Sequence, residues 1–531
     1  MNTKKTNTRF LTGNHVVTRR RVIKAGAAGA LALAGGLPFS DHVLAATPKK
    51  GGHVRYGVRG GSTSDSLDPA TFPDVFMRTL AYGTFNTLTE IAGDNSLAPE
   101  LAESWEGRAG AAEWEFKTRK GVEFHNGKTL DADDVITSIN HHRGDDSKSG
   151  MKSLLKSIKD IQKLDQSTIK FTLEAGNADF PYIFSDYRLM IMAAKDGKLD
   201  WQSGNGTGGY VLKHFNPGVT AKLERAPNYW RSGERAHFDS AEILRVPDGS
   251  ARENGLITGS LDIIDQAALN TVHLLKKNSG IEVADTAGAL HYNYPMNTQA
   301  APFDNNDVRL ALKYAVDREE LLEKILFGYG TIGNDHPIAR NHQFYAQDIE
   351  QRKFDPDRAK HHLKKAGLSD LKVNLSVADF LYAGAVDGVT LYRESAAKSG
   401  IDITVVRESS DGYFSNIFRK KPFIASYWGA RPTADLILTT AYASGAPWND
   451  TFFEHEKFNK LLVAARGELD ESRRAEMYRD AQLILRDEGG AVIPLFASNV
   501  FAMSSKVGHP EKMAGNWELD GGRSIDRWWF K

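Results

Sequence analysis

The sequence predicts a mixed α/β protein of two or three domains behind an export leader. Three observations carry that reading. Strand-like runs alternate with amphipathic helical stretches along the chain. A leader over residues 1–46 leaves most of the 531 residues, enough to bury two or three separate cores. No later apolar run is long enough to cross a bilayer.

The leader comes first. Thr18 to Lys24 reads TRRRVIK, and Ala25 to Leu37 is apolar, with small residues at Ala45 and Ala46. A basic start, a short apolar stretch and a small-residue cleavage site make a secretory signal. The pair Arg19-Arg20 gives it the character of a twin-arginine signal, so the mature chain is expected to begin near Thr47, outside the cytoplasm.

Glu113 to Thr118 alternates polar and apolar residues and predicts a half-buried strand. Asp131 to Asp134 places acidic residues in the first turn of a helix carrying Val135, Ile136 and Ile139. Asp307 to Phe327 predicts a single long helix with an apolar stripe, ended by Gly328. Asp355-Pro356 starts a shorter helix that stops at Gly367. Glu456 to Arg466 and Glu471 to Asp487 form a helical pair, and Val492 to Phe496 follows as a buried strand.

Composition excludes several classes. Lys plus Arg equals Asp plus Glu at 67 each, so nothing points to nucleic acid. The chain has no cysteine, which removes disulfides, thiolate catalysis, iron–sulfur clusters and cysteine zinc sites, as well as a lipoprotein anchor.

Motifs for chemistry fail on their context. Gly204 to Gly209 spells GxGxxG, but Tyr210 to Lys213 continues as a strand and Asn216-Pro217-Gly218 turns it back, so a nucleotide-binding helix is missing. His455-Glu456 begins HExxH, but Asn459 replaces the second histidine. The pairs His141-His142 and His361-His362 point about 100° apart on a helix and read as solvated surface. Gly209 and the glycines before it read as turn residues.

Several segments together resemble one family, the large extracytoplasmic solute-binding proteins of ABC importers, of the oligopeptide, dipeptide and nickel type. Gly51-Gly52-His53 with Ser66 to Ala70 resembles the family's opening, and Pro99 to Trp105 its PxLAxSW. Arg119 to Lys128, with Ala132 to Val135, is similar to RKGVxFHdG and ADDV. Gly206 to Tyr210 is similar to GTGPY with Gly209 in place of proline, a change expected to loosen one turn and little else. Ala301 to Phe303, Asp307 to Arg309, Ala315 to Arg318, Phe354 to Leu368 and Val492 to Leu495 continue the likeness.

The resemblance implies a fold of the type II periplasmic-binding-protein class: two α/β lobes joined by a hinge, with an extra domain in the first lobe. By matched motifs the base of the first lobe takes residues 47–86, 206–290 and 498–531. The extra domain takes 87–205 and the second lobe 291–497. It implies a monomer without cofactor or bound metal that captures a small solute and hands it to a membrane permease.

The resemblance also places a site. Trp428 matches a family tryptophan in the segment Ser426 to Thr433, beside Tyr427 and Gly429, and Arg431 stands where the family has the aspartate that takes a peptide's α-ammonium. A guanidinium repels an ammonium and pairs a carboxylate or phosphate, so an anionic group or a blocked amine is expected at that end. The alternative is that Arg431 turns outward and Asp435 takes over. Val75 ends the first-lobe ligand lip, Tyr294 lies near the hinge, Trp448 sits in a loop that could lid the pocket, and Tyr382 and Arg188 lie in loops of the second lobe and the extra domain. The rival readings are an exported hydrolase and a metal or metallophore binder.

Overall fold

The computed structural model describes residues 48–108 and 110–531; the leader lies outside the described residues. His53–Val58 reads HVRYGV, and its Val54, Tyr56 and Val58 side chains are fully buried. It is the centre of a seven-stranded sheet. On one side lie Ser240–Arg245, Thr220–Arg225 and Tyr210–Asn216; on the other lie Ile263–Ile264, Asn499–Ser504 and Ile281–Thr286. His53–Val58 pairs parallel with both its neighbours, and every other pairing in the sheet is antiparallel. Val75–Thr84 packs against this sheet and is buried on every side. The Asp74 carboxylate starts that helix by accepting from the Phe76 and Met77 amides, satisfying donors that a buried helix end could not leave bare.

A second, antiparallel sheet follows the order Ala102–Arg108, Glu113–Thr118, Thr168–Leu173, Ile158–Lys163. Its inner face packs Phe116, Phe171, Phe180 and Phe184 with ring centroids 4.9–6.2 Å apart, mostly edge to face. Such pairs add about 0.5–1.5 kcal/mol beyond burial of their area. Ala132–His141 covers the sheet, opened by a reciprocal capping box between Asp131 and Asp134.

Besides three short two-stranded ladders, two more sheets shape the rest of the fold. One runs Gly330–Ile332, Ala491–Ala497, His291–Pro295, Ser426–Trp428, all antiparallel; the other is the parallel pair Leu371–Val377 and Ile401–Arg407. Helices cover them, including Pro356–Lys365, Ala385–Ala397 and Glu471–Glu488.

Among the described residues, two chain segments carry strands directly from the seven-stranded sheet into this region, and they stay paired while doing so. Thr286 lies opposite Asn499 on the first side, and His291 lies opposite Phe496 on the second. Between them the Ala497 amide donates to the Leu290 carbonyl at 2.9 Å. Gly288 sits at this crossing, where a Cβ would fall 2.3 Å from the Ala497 carbonyl oxygen. Two paired strands with few side chains between them are the construction expected of a hinge.

Three sequence expectations are corrected. The predicted helix Asp307 to Phe327 is two, Asn306–Tyr314 and Arg318–Ile325. The break falls at Ala315 to Asp317, where the Asp317 carboxylate accepts from the Glu320 amide and starts a new helix. Of the paired histidines only His361 is exposed as expected; the other three are not solvated surface. His142 is fully buried, bonded to the Ser149 hydroxyl at 2.7 Å, and burial lowers its pKa to about 3; His141 pairs with Asp68 at 2.7 Å, and His362 with Asp307. Gly209, finally, is more than a looser turn: a Cβ there would lie 2.4 Å from the Ala236 Cβ.

Candidate functional site

The segment Ser426 to Thr433 organises the site. Ser426–Trp428 is an edge strand whose only strand partner is His291–Pro295. Alternation sends Ser426 and Trp428 inward and Tyr427 outward, and Tyr427 is 37% exposed. Trp428 is anchored from behind: its Nε1 donates to the Asp450 Oδ2 at 3.1 Å, and the Asn293 amide donates to the same oxygen at 3.2 Å. Burial pushes the Asp450 carboxyl up to about 6, against the pull of both donors. The strand then gives way to Ala434–Ala441, whose first turn the Thr433 hydroxyl caps.

Two cavities flank this segment. The larger, about 1120 Å³, collects side chains from both sides of the hinge: Arg59, Asp265 and Glu518 from the first, Tyr382, Asp387 and Tyr427 from the second. Tyr382 stacks on Tyr292 with ring centroids 3.7 Å apart and planes 7° from parallel, making an aromatic wall. Four of its charged side chains are already paired with one another. Arg59 meets Glu518 at 3.2 Å, and Arg252 meets Asp265 at 3.2 Å.

The smaller cavity, about 600 Å³, lies between the loop before and around Arg188, the loop Asn341 to Gln343 and the stretch Ala430 to Leu436, with Trp517 on one wall. Arg188 holds Asp186 at 3.1 Å and donates from Nε to the Phe72 carbonyl, which ties it to the lip segment before Val75. Asp435 is occupied by Arg466, which binds both its oxygens at 3.1–3.2 Å. Arg431 is different. Its Nη1 reaches only the carbonyls of Gly429 and Ala430, at 3.3 and 3.2 Å, and among the described residues no carboxylate pairs it. Burial lowers its pKa, with no neighbouring acid to offset this.

The residues singled out in the sequence therefore separate into groups. Tyr382 and Tyr427 line the larger cavity, Arg188 and Arg431 the smaller. Trp428 and Gly429 lie in the segment between the cavities, Trp428 with its ring turned inward. Tyr294 is buried behind the larger cavity, its hydroxyl 3.5 Å from that of Tyr382 and its ring stacked on Tyr392. Val75 begins its buried helix and lines neither cavity. Trp448 is 54% exposed and packs against Phe418 away from both. Asp179, His342, Trp517, Asp265 and Tyr292 are lining residues that motif reading missed. Only the alternation along His291–Pro295 could have signalled one of them, Tyr292. Among the described residues no three His, Asp or Glu side chains are grouped as a metal would need.

The comparisons with known proteins agree with this architecture. The family described as bacterial extracellular solute-binding proteins, family 5 middle, matches residues 96–450. Heme-binding protein A of Haemophilus influenzae is 28% identical over 447 residues, covering 76% of this chain and 80% of that protein. Glutathione-binding protein GsiB of Salmonella choleraesuis is 24% identical over 485 residues, covering 88% of this chain and 93% of that protein. The structure of the ABC transporter-associated periplasmic binding protein DppA from Helicobacter pylori, in complex with the peptide STSA, superposes with a TM-score of 0.68 at 25% identity. That match covers 91% of this chain and 99% of DppA.

Proposed function

The chain belongs to the bacterial extracellular solute-binding proteins, family 5, the capture components of ABC importers, and from that premise we propose what it captures and how. It takes a small organic solute, peptide-like and anionic, between its lobes and carries it to the permease without altering it. The observation that carries the anionic part is Arg431: a half-buried guanidinium facing a cavity with no acid to pair it. A bound carboxylate or phosphate would supply the missing partner through charge-assisted, bidentate hydrogen bonds. Relatives named for glutathione and for heme, both carboxylate-bearing compounds, fit this reading.

The domain limits follow the sheets. All strands of the seven-stranded sheet fall within 47–86, 206–290 and 498–531, the phenylalanine-lined sheet within 87–205, and the sheet of Ser426–Trp428 and the parallel pair within 291–497. The paired crossing at 286–291 and 496–499 is the hinge. Ligand touching both sides stabilises the closed form by the difference of its affinities for the two forms. The protein works as a monomer in the periplasm, reached by the twin-arginine route, and is not an enzyme.

The test is to release and mass-identify the compound that copurifies with the exported protein, then titrate it by calorimetry against wild type and Arg431→Gln. The expected result is one unmodified anionic compound per chain, bound at least about tenfold more weakly by the variant, as for loss of a charge-assisted contact. A neutral or cationic compound, or one recovered chemically changed, overturns the reading.

A further inference from the structure

The unpaired groups of the two cavities differ in kind. In the larger one the orphaned polar atoms Arg252 Nε and Asp265 Oδ1 face each other at 3.2 Å and so answer each other's charge. In the smaller one they have no such mates. Asp179 is 4% exposed; its Oδ1 accepts from Arg474, while its Oδ2 has no partner. Asn341 donates its amide to the Ala287 carbonyl at 2.6 Å, which fixes its Oδ1 as an acceptor, also without a partner. Both ring nitrogens of His342 are unpartnered. Asp179, Asn341, His342 and Arg431 all line this one cavity.

Buried polar atoms are almost always satisfied, and a cluster of exceptions in one cavity asks for a guest that satisfies them. Here the protein offers three unpartnered acceptor oxygens, on Asp179, Asn341 and Asn516, one of them a carboxylate's, together with one uncompensated guanidinium. A guest with only an anionic group would answer Arg431 and leave Asp179 Oδ2 and Asn341 Oδ1 bare. A guest with only an ammonium would leave Arg431 bare. The geometry points to a zwitterionic head, an α-amino-acid group whose carboxylate sits on Arg431 and whose ammonium donates to Asp179 and Asn341 in the same cavity. This rests on the solute-capture reading above and narrows it. An ordinary peptide N-terminus carries its ammonium on a carbon without a carboxylate and does not qualify, whereas a γ-linked glutamyl head does.

Calorimetry of the exported protein with γ-glutamylglycine, its N-acetyl derivative and α-glutamylglycine tests this. The expected result is binding of the first, with the other two at least about thirty-fold weaker, as for loss of one charge-assisted contact. In Asp179→Asn the penalty for acetylation should shrink to about threefold or less. Asp179→Asn/Arg474→Met serves as the second variant, since it strands no buried charge should the single change misfold. Failure of γ-glutamylglycine to bind overturns the zwitterion site, and so does an acetylation penalty that survives loss of the Asp179 charge. Equal binding of free and acetylated probes, both lost in Arg431→Gln, overturns the ammonium site alone and leaves the anionic reading standing.

Discussion

The indole Nε1 of Trp428 donates to a carboxylate oxygen of Asp450, 3.1 Å away and wholly inside the protein. This bond fixes the inward face of the strand whose outward face, Tyr427, meets the larger cavity. The anchoring acid is costly. Its second oxygen has no partner, and the Tyr442 hydroxyl nearby has none either. An acid kept this dry is a stability term that depends on pH.

The direction follows from its pKa, raised from 3.8 in a freely solvated carboxyl to about 6 in the fold. Between these values the native state holds a proton that the unfolded chain has released. Stability from this group therefore falls as pH rises from about 4 to about 6, and is level above that. A shift of this size corresponds to about 3 kcal/mol. Asp450→Asn, which keeps an acceptor for Trp428, removes that dependence. Urea unfolding should show the stability of the variant relative to wild type growing by about 3 kcal/mol from pH 4 to pH 7. A difference that stays constant across that range would show that Asp450 does not titrate in this way.

Gly288 makes a prediction about the hinge. The position has no room for a side chain, because a Cβ would meet the Ala497 carbonyl oxygen at 2.3 Å on the opposing strand. Gly288→Ala must push the two crossing strands apart, at a cost of about 1–3 kcal/mol typical of overpacking. Thermal unfolding should shift down accordingly, and ligand affinity should change as the closed form is strained. Gly467→Ala is the control for glycine replacement itself: it has no positive φ, and the added methyl would meet nothing closer than the Gly110 carbonyl oxygen at 3.5 Å. If Gly288→Ala unfolds like wild type with unchanged affinity, the crossing is not tightly held.

The periodic parts of this fold were legible in the sequence, and the reason is physical. Glu113 to Thr118 alternates because one face of its strand is buried, and Glu456–Gly467 carries a stripe because one side of its helix is. Periodicity alone could not see the break after Tyr314, since the apolar stripe runs on through Ala315 and Val316 while the Asp317 cap starts a new helix. His142 was misread because adjacent histidines look polar, yet neutral imidazole with one hydroxyl partner is cheap to bury. The site was legible mainly in one local segment, Tyr427 to Arg431, and otherwise at Tyr382 and Arg188. Asp179, His342 and Trp517 come from distant stretches that only the tertiary fold brings to one cavity, and no local pattern marks them.

Gly209 and Ala236 make a coupled pair. Where the family resemblance expects proline, this chain has Gly209, and its neighbour across the contact is an alanine held at φ 56°, in the left-handed region that favours glycine. A Cβ at 209 would lie 2.4 Å from the Ala236 Cβ, so the family residue and Ala236 cannot both be accommodated without movement. Gly209→Pro should therefore destabilise by about 1–3 kcal/mol, despite the lower entropy that proline gives the unfolded chain. Ala236→Gly relieves the backbone strain and removes the methyl that clashes. The double variant should recover most of the loss, with a coupling of about 1 kcal/mol or more in a double-mutant cycle read by urea denaturation. Additive effects of the two changes would mean that the contact between these residues does not explain the glycine.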